Sequence, residues 1–352
     1  MSERVLMKGN EAIAEAAVRA GCDAYFSYPI TPQTELLEYM SKRMVDLKRV
    51  FLQAESEVAT INMIFGAAAA GMRVLGSSSS PGVSLMQEGI SYIAAAELPC
   101  VLVNIQRGGP GLGNIAPAQG DYWQSTRSGG HGDYRLLVLA PASVQEAVDL
   151  TILAFDLAEK YRNPVMILGD GIIGQIMEPV TFPEVVQAPS AKPWALQGKG
   201  KGQRRIIKTL FLDTDELEQR NRILERKYQS MREAEQRSVD YMMEGAQFAV
   251  VAYGTAARVS QTAVKQARAA GIPVGLVRPV SLFPFPAKRM EQLAEQIESA
   301  LVVEMSHGQM LEDVRLSTCC RLPISFYNRL GGNVPSPDAV LDEIKKLAKV
   351  GG

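Results

Sequence analysis

Histidine is nearly missing from this 352-residue chain: only His131 and His307 occur. Cysteine is scarce too, with Cys22, Cys100, Cys319 and Cys320 and no C-x-x-C pair. Both shortages argue against a structural zinc site or an iron–sulfur cluster ligated by this chain. The thiols are expected to be reduced, packed residues, with Cys319 and Cys320 on different faces of a helix. An excess of either charge is also lacking, 37 basic residues standing against 38 acidic ones. That balance carries no footprint of nucleic-acid or membrane-surface binding. No run of 18 apolar residues escapes a charge or a Gly, Pro or Ser break, so no membrane span is expected. Glu3 and Arg4 are followed by no apolar h-region, so a cytoplasmic protein without a signal peptide is expected.

What is present is a long apolar stretch, residues 51–71, with no charge between Glu57 and Arg73. It reads as a helix buried on most sides, at home in a domain centre or a subunit interface. Glu55 and Glu57 stand at its entrance. Glu55 suits a helix N-terminus, where the dipole favours an anion. Glu57 lies deeper, as a structural acid or as a desolvated carboxylic acid able to share a proton with a bound base.

The length suggests two domains with room for an insertion. Residues 9–21 read as a helix with Gly21 at its C′ position. A strand at 24–27 runs into Tyr28-Pro29-Ile30-Thr31-Pro32, whose two prolines restrict the backbone around Thr31. Thr31 as an N-cap with Pro32 at the first helical position fits the same residues. A strand at 74–77 ends in the serine turn Ser77 to Ser80 before Pro81-Gly82. Its small residues let a ligand approach backbone N–H groups or make an ordinary turn. The strand at 99–105 delivers Arg107 to a long glycine-rich loop that holds Trp123, Arg127 and His131. An arginine there is either a carboxylate ligand in a cleft or half of a structural ion pair. A strand at 136–140 precedes Ser143-Val144-Gln145-Glu146, a capping box opening a helix to Lys160. A strand at 165–168 ends at Gly169-Asp170-Gly171. Alternating strands and helices predict a doubly wound α/β domain over 1–180. Residues 179–205 read as a linker arm. Residues 216–241 read as one charged helix with a seam of Leu217, Leu224 and Met231 that bridges domains or grips a partner. A second α/β unit occupies 241–352, with strands at 248–253, 274–277, 300–305 and 324–327. His307, after the third of these, suits a cap, an interface or a cleft.

Several segments together carry a resemblance: Gly9-Asn10-Glu11-Ala12, Tyr28 to Pro32, Gln53-Ala54-Glu55-Ser56-Glu57, the serine turn, Asn104-Ile105-Gln106-Arg107, His131-Gly132-Asp133 and Ser143 to Ala147. The chain resembles the α-type subunit of thiamine-diphosphate-dependent 2-oxoacid:ferredoxin oxidoreductases over nearly its whole length. Gly108 to Gly113, His131 to Arg135 and Leu168 to Gly171 make it look most like the 2-oxoisovalerate group. The resemblance implies two doubly wound domains: a pyrimidine-binding domain at 1–180 and, after a linker arm and charged helix at 181–240, a transketolase-C-like domain at 241–352. Glu57 would face the cofactor's aminopyrimidine. Thr31 and Arg107 would lie on the substrate side, and Pro29, with Tyr28 and Ser80, beside the cofactor. No metal ligand is expected here. Gly169-Asp170-Gly171 matches the start of the Mg²⁺–diphosphate motif of thiamine enzymes, but residues 187–200 hold no asparagine and the next is Asn221. It reads as a strand-end turn. Mg²⁺ and the diphosphate half are then expected from a β-type subunit, and iron–sulfur clusters from other partners, including a γ-type subunit. Ferredoxin, coenzyme A and a branched-chain 2-oxo acid would be the co-substrates. 2-Oxoglutarate as substrate, a non-catalytic assembly subunit and a self-sufficient decarboxylase are the alternatives.

Overall fold

The structure, a computed structural model, describes residues 4–184, 192–198 and 204–350. The first part of the chain forms β1 (Val5–Lys8), α1 (Gly9–Arg19), β2 (Ala24–Ser27), α2 (Thr34–Asp46), β3 (Val50–Gln53), α3 (Glu57–Ala69), β4 (Val74–Ser78), α4 (Pro81–Ala95) and β5 (Cys100–Gln106). It continues through α5 (Tyr122–Thr126), β6 (Leu137–Leu139), α6 (Val144–Tyr161), β7 (Pro164–Asp170), α7 (Gly171–Gln175) and β8 (Met177–Val180). Then follow α8 (Thr214–Ala234), β9 (Ser238–Tyr241), β10 (Phe248–Val251), α9 (Gly254–Ala269), β11 (Val274–Pro279), β12 (Ser281–Phe283), α10 (Ala287–Gln296), β13 (Ser299–Glu304), α11 (Gln309–Ser317), β14 (Ile324–Asn328) and α12 (Pro337–Val350).

Two sheets carry the architecture. One has seven strands in the order β12-β6-β7-β5-β4-β2-β3, the other five in the order β14-β13-β10-β11-β9. Both are parallel inside, with β12 and β9 as antiparallel edges. Strands β4, β5 and β7 are buried along their whole length, as strands covered by helices on both faces must be. The expected pair of doubly wound α/β units is therefore present. The units are tied together, because β12 comes from the later part of the chain yet pairs with β6 of the first sheet.

Several details depart from the sequence reading. Residues 50–53 are not helical. Val50, Phe51 and Leu52 have strand-forming side chains, and they pair as β3 with β2, Tyr25 opposite Phe51. The helix starts only at Glu57, capped by Ser56, whose Oγ accepts from the Ala59 N–H at 3.1 Å. Nor is α3 covered on most sides. Thr60, Ile61, Ile64 and Ala68 are buried, but Val58, Asn62, Gly66 and Ala70 form an exposed stripe at helical spacing. Pro32 is not a first helical residue: α2 begins at Thr34 after Gln33, and the Thr31–Pro32 peptide is cis. The charged helix stops at Ala234, and residues 238–241 turn back as β9 against β11. Its packed face is Leu224, Tyr228 and Met231, whereas Leu217 is exposed; this is amphipathic docking, not a heptad seam. Arg220–Glu97 at 3.0 Å and Lys160–Glu235 at 2.7 Å fasten it to the first unit.

Part of the expected arm lies outside the described residues. Residues 177–180 of β8 pair with β1, and Leu196 N–H donates to the Ala69 carbonyl at 2.8 Å. Cys22 and Cys100 are buried thiols, Cys22 pushed up to about 12 by burial. Cys319 and Cys320 are neither packed nor helical: both lie past α11, exposed, with φ of 51° and 54°.

Gly9 shows how tightly the first unit is built. A Cβ placed there would lie 1.8 Å from the Ile173 carbonyl oxygen. The neighbouring Asn10 Nδ2 donates to the Pro32 carbonyl at 2.8 Å and to Glu35 at 2.9 Å. Gly9→Ala must push α1 and α7 apart, and overpacking of this kind costs about 1–3 kcal/mol. Thermal unfolding of the variant is expected to show a Tm lowered by several degrees.

Candidate active site

Strands β3, β2, β4 and β5 present their carboxyl ends at one edge of the first sheet. The chain leaves β2 for β3 on one side and returns to β4 on the other. A crevice opens where neighbouring parallel strands connect in opposite directions. Its walls are the loop at 28–33, the turn at 78–80 and the entrance of α3.

The loop is held from below. Ser77 Oγ donates to Gln33 Oε1 at 2.7 Å, Tyr25 OH and Ser77 Oγ lie 2.7 Å apart, and Ser27 Oγ donates to the Ser77 carbonyl at 2.8 Å. Asn10 and Gln175 both donate to the Pro32 carbonyl. The Gly9-Asn10 motif thus acts on the loop from a distance. Tyr28, Pro29 and Thr31 are exposed above this network.

The β4–α4 turn is equally constrained. Ser80 has φ of 25°, a region that L residues rarely adopt. Its N–H donates to Asn104 Oδ1 at 3.0 Å, and its Oγ donates to Asp121 Oδ2 at 2.6 Å and accepts from the Arg107 N–H at 3.0 Å. Asn104 Nδ2 also donates to Asp121 at 3.0 Å. Desolvation raises the Asp121 carboxyl above its usual range, opposed by these hydrogen bonds and by Arg107. Ser78 Oγ and Ser79 Oγ are buried with no partner.

Glu57 is 6% exposed. It lies against Gly82 in the first turn of α4, where a Cβ would come 2.5 Å from Glu57 Oε1 and 2.1 Å from Ser78 Oγ. Its surroundings are therefore this glycine and the serine turn, not Val58, which is 50% exposed. Glu55 is exposed.

Arg107 is 9% exposed. Its Nη1 donates to the Thr31 carbonyl at 3.0 Å and its Nη2 to the Leu112 carbonyl at 3.3 Å, while Nε is buried without a partner. No carboxylate among the described residues comes within the 4.0 Å of an ion pair. The structural ion-pair reading thus fails within this chain. Thr31 meets Arg107 through its backbone oxygen, not its hydroxyl. Arg107, Ser80, Asp121 and His307 line a cleft of about 690 Å³ between the two units. His307 is exposed in it and caps nothing. Glu304 instead receives the Met310 and Leu311 N–H groups at the start of α11, at 3.1 and 2.8 Å.

Asp170 ends β7 and caps α7. Its Oδ1 accepts from Ile172 and Ile173 N–H and from Thr255 Oγ1 at 2.9, 3.2 and 2.7 Å, and its Oδ2 accepts from Thr255 N–H at 3.2 Å. These donors hold the carboxylate at the junction of the two units. Among the described residues no group of three or more His, Cys, Asp or Glu is placed to hold a metal ion. No helix among them is long and apolar enough to cross a membrane.

A buried carboxyl group beside Gly82, two unpartnered serine hydroxyls and an arginine with no carboxylate within 4.0 Å fit the aminopyrimidine part of thiamine diphosphate and an anionic substrate. The matching family models agree. Residues 15–243 match pyruvate flavodoxin/ferredoxin oxidoreductase, thiamine diphosphate binding, and residues 246–340 match pyruvate:ferredoxin oxidoreductase core domain II. The chain belongs to the 2-oxoacid:ferredoxin oxidoreductases. It is similar to the ketoisovalerate oxidoreductase subunit VorB of Methanothermobacter thermautotrophicus, with 50% identity over 97% of each chain. Against the 2-oxoglutarate synthase subunit KorA of the same organism identity is 34%, over 99% of this chain and all of the other. A solved 2-oxoglutarate:ferredoxin oxidoreductase from Magnetococcus marinus superposes with a TM-score of 0.89 at 26% identity. That match covers 99% of this chain, which spans 66% of the other. A split-gene transketolase at 13% identity, TM-score 0.60, shares the fold alone.

The chain is thus an α-type subunit of a multi-subunit thiamine-diphosphate enzyme. Gly82 and Asn104 of this oxidoreductase subunit stand in the sequence motifs without having been read as site residues, and Asp121 escaped sequence reasoning. Gly82 had a signal, a glycine closing the serine turn; Asp121 sits in a loop with no local pattern to mark it.

Proposed function

We propose that this subunit contributes the pyrimidine-facing and substrate-facing side of a site that oxidatively decarboxylates a branched-chain 2-oxo acid, 3-methyl-2-oxobutanoate. The products are acyl-coenzyme A, CO₂ and two reduced ferredoxins. The observation that carries the reading is Arg107, a buried cation with no carboxylate within 4.0 Å, bonded through Ser80 to the serine turn that Glu57 lies against. Thiamine diphosphate, when bound, supplies the carbon nucleophile and the electron sink for decarboxylation. Glu57 would exchange a proton with the pyrimidine N1′, with Gly82 leaving space for the carboxyl. Pro29 and Tyr28 would border the ring, and Ser80 fixes the turn that would lie beside it. Arg107, braced by the Thr31 carbonyl, receives the substrate carboxylate, and Thr31 completes that side from the loop. The 2-oxoisovalerate preference rests on the higher identity to ketoisovalerate relatives than to 2-oxoglutarate ones.

Mg²⁺ and the diphosphate belong to a β-type partner in this reading, because Asp170 is engaged in capping α7 and binding Thr255 and no asparagine follows at motif spacing. Iron–sulfur clusters belong to other partners, and a γ-type subunit completes the assembly in the cytoplasm. The exposed stripe of α3 is the surface that the β-type subunit covers. Two measurements test the proposal. The purified complex is expected to prefer 3-methyl-2-oxobutanoate over 2-oxoglutarate in a substrate panel. The chain alone is expected to bind thiamine diphosphate weakly and to lack visible iron–sulfur absorption. Tight Mg²⁺-dependent binding by the isolated subunit would overturn the shared-site reading.

A further inference from the structure

At the amino-terminal end of β6, on the opposite edge of the sheet from the carboxyl ends that lead to Glu57 and Arg107, lies a second pocket of about 310 Å³. The His131 to Arg135 motif ends there, and α8 forms its other wall. Arg135 and Arg232 both pack on the Phe283 ring, their guanidinium carbons 5.9 and 5.6 Å from its centroid. Arg135 Nη1 donates to Ser128 Oγ at 2.9 Å and to the Tyr134 carbonyl at 3.0 Å. Among the described residues neither arginine has a carboxylate within 4.0 Å. Tyr228, 4% exposed, lines the same pocket with a buried hydroxyl that has no partner.

The other charges facing the pocket are Asp133, Glu218, Arg222 and Glu225. Glu218 and Glu225 are engaged by Arg222 at 3.3 and 3.0 Å. Asp133 is exposed at the rim. Burial and the neighbouring, exposed Arg232 pull the Arg135 pKa down, and Asp133 opposes them. Burial pushes the Tyr228 phenol up to about 12, so it remains a donor. Planar guanidinium forks and a hydroxyl suit the several acceptor oxygens of a phosphoryl group.

We propose that Arg135, Arg232 and Tyr228 form a binding site for a phosphate-class oxyanion, remote from the catalytic cleft. The phosphoryl group comes from free phosphate or from a small phosphorylated ligand, for which the pocket has room. The test is calorimetry on the assembled complex in phosphate-free buffer, with thiamine diphosphate saturating so that its own diphosphate site is filled. Orthophosphate and ADP are the two probes. Saturable orthophosphate binding at about 1 mM or below is expected. Arg232→Gln is expected to weaken it about tenfold or more, the scale of a lost charge-assisted hydrogen bond. Tyr228→Phe should weaken it less, and Asp133→Asn should strengthen it. Tighter binding of ADP, lost in the same variants, supports the site and assigns the phosphate to a larger ligand. Absence of saturable binding of either probe overturns the proposal, as does an affinity unchanged by Arg232→Gln. If Arg232→Gln does not fold, an unchanged affinity in both Tyr228→Phe and Asp133→Asn overturns it as well.

Discussion

In the assembled complex, Glu57→Gln is expected to bind thiamine diphosphate with modestly reduced affinity while turnover falls by about 10²-fold or more. Glutamine has the size of glutamate and still donates a hydrogen bond, so the hollow beside Gly82 stays filled. What it cannot do is give up and regain a proton at the pyrimidine nitrogen. Hydrogen–deuterium exchange at the thiazolium carbon isolates this role from later steps and should fall together with turnover. Glu55→Gln is the comparison. Glu55 is exposed before the helix, and losing its charge near the α3 N-terminus costs about 1 kcal/mol at most. Exchange that stops in Glu55→Gln but persists in Glu57→Gln would reverse the two roles, and exchange surviving in both would remove this helix entrance from the chemistry.

Arg107→Ala should act on the substrate and not on the cofactor. The wild-type guanidinium is nearly enclosed, spends two N–H groups on backbone carbonyls and keeps a buried Nε free. Losing a charged partner for a carboxylate costs about 2–4 kcal/mol in kcat/KM, roughly 30- to 1,000-fold. Thiamine diphosphate affinity should change little. Wild-type kinetics in this variant would show that Arg107 only braces the loop through the Thr31 and Leu112 carbonyls.

The parts of this fold legible in the sequence were those fixed by local pattern. Continuous apolar runs announced β4, β5 and β7, and Gly21 and Ser143 marked a helix end and a helix start. Elements defined by distant partners were not legible. Residues 50–53 became β3 because β2 lies beside them, although the following residues suggested helix from the start. β12 has no signal of its own, and only β6 makes it a strand. The same division holds at the site. Thr31, Glu57 and Arg107 could be named from motifs, and the structure brings Thr31 and Arg107 into contact. Most of the support beneath them was invisible: Gln33 under the loop and Asp121 arriving from a long connection, whereas Gly82 beside the carboxyl had only the serine turn to mark it.

The crossing of β12 bears on how such a chain can be cut. The two matched family segments meet between residues 243 and 246, which invites fission of the gene there. A split at that point would separate β12 from β6, and Gln119 from the Met305 backbone that it pairs with in both directions at 3.0 and 2.9 Å. The amino-terminal fragment would be left with a raw sheet edge, which is a template for aggregation. The boundary in the pattern of families is therefore not a seam in the material. Halves produced separately should recover solubility only when made together.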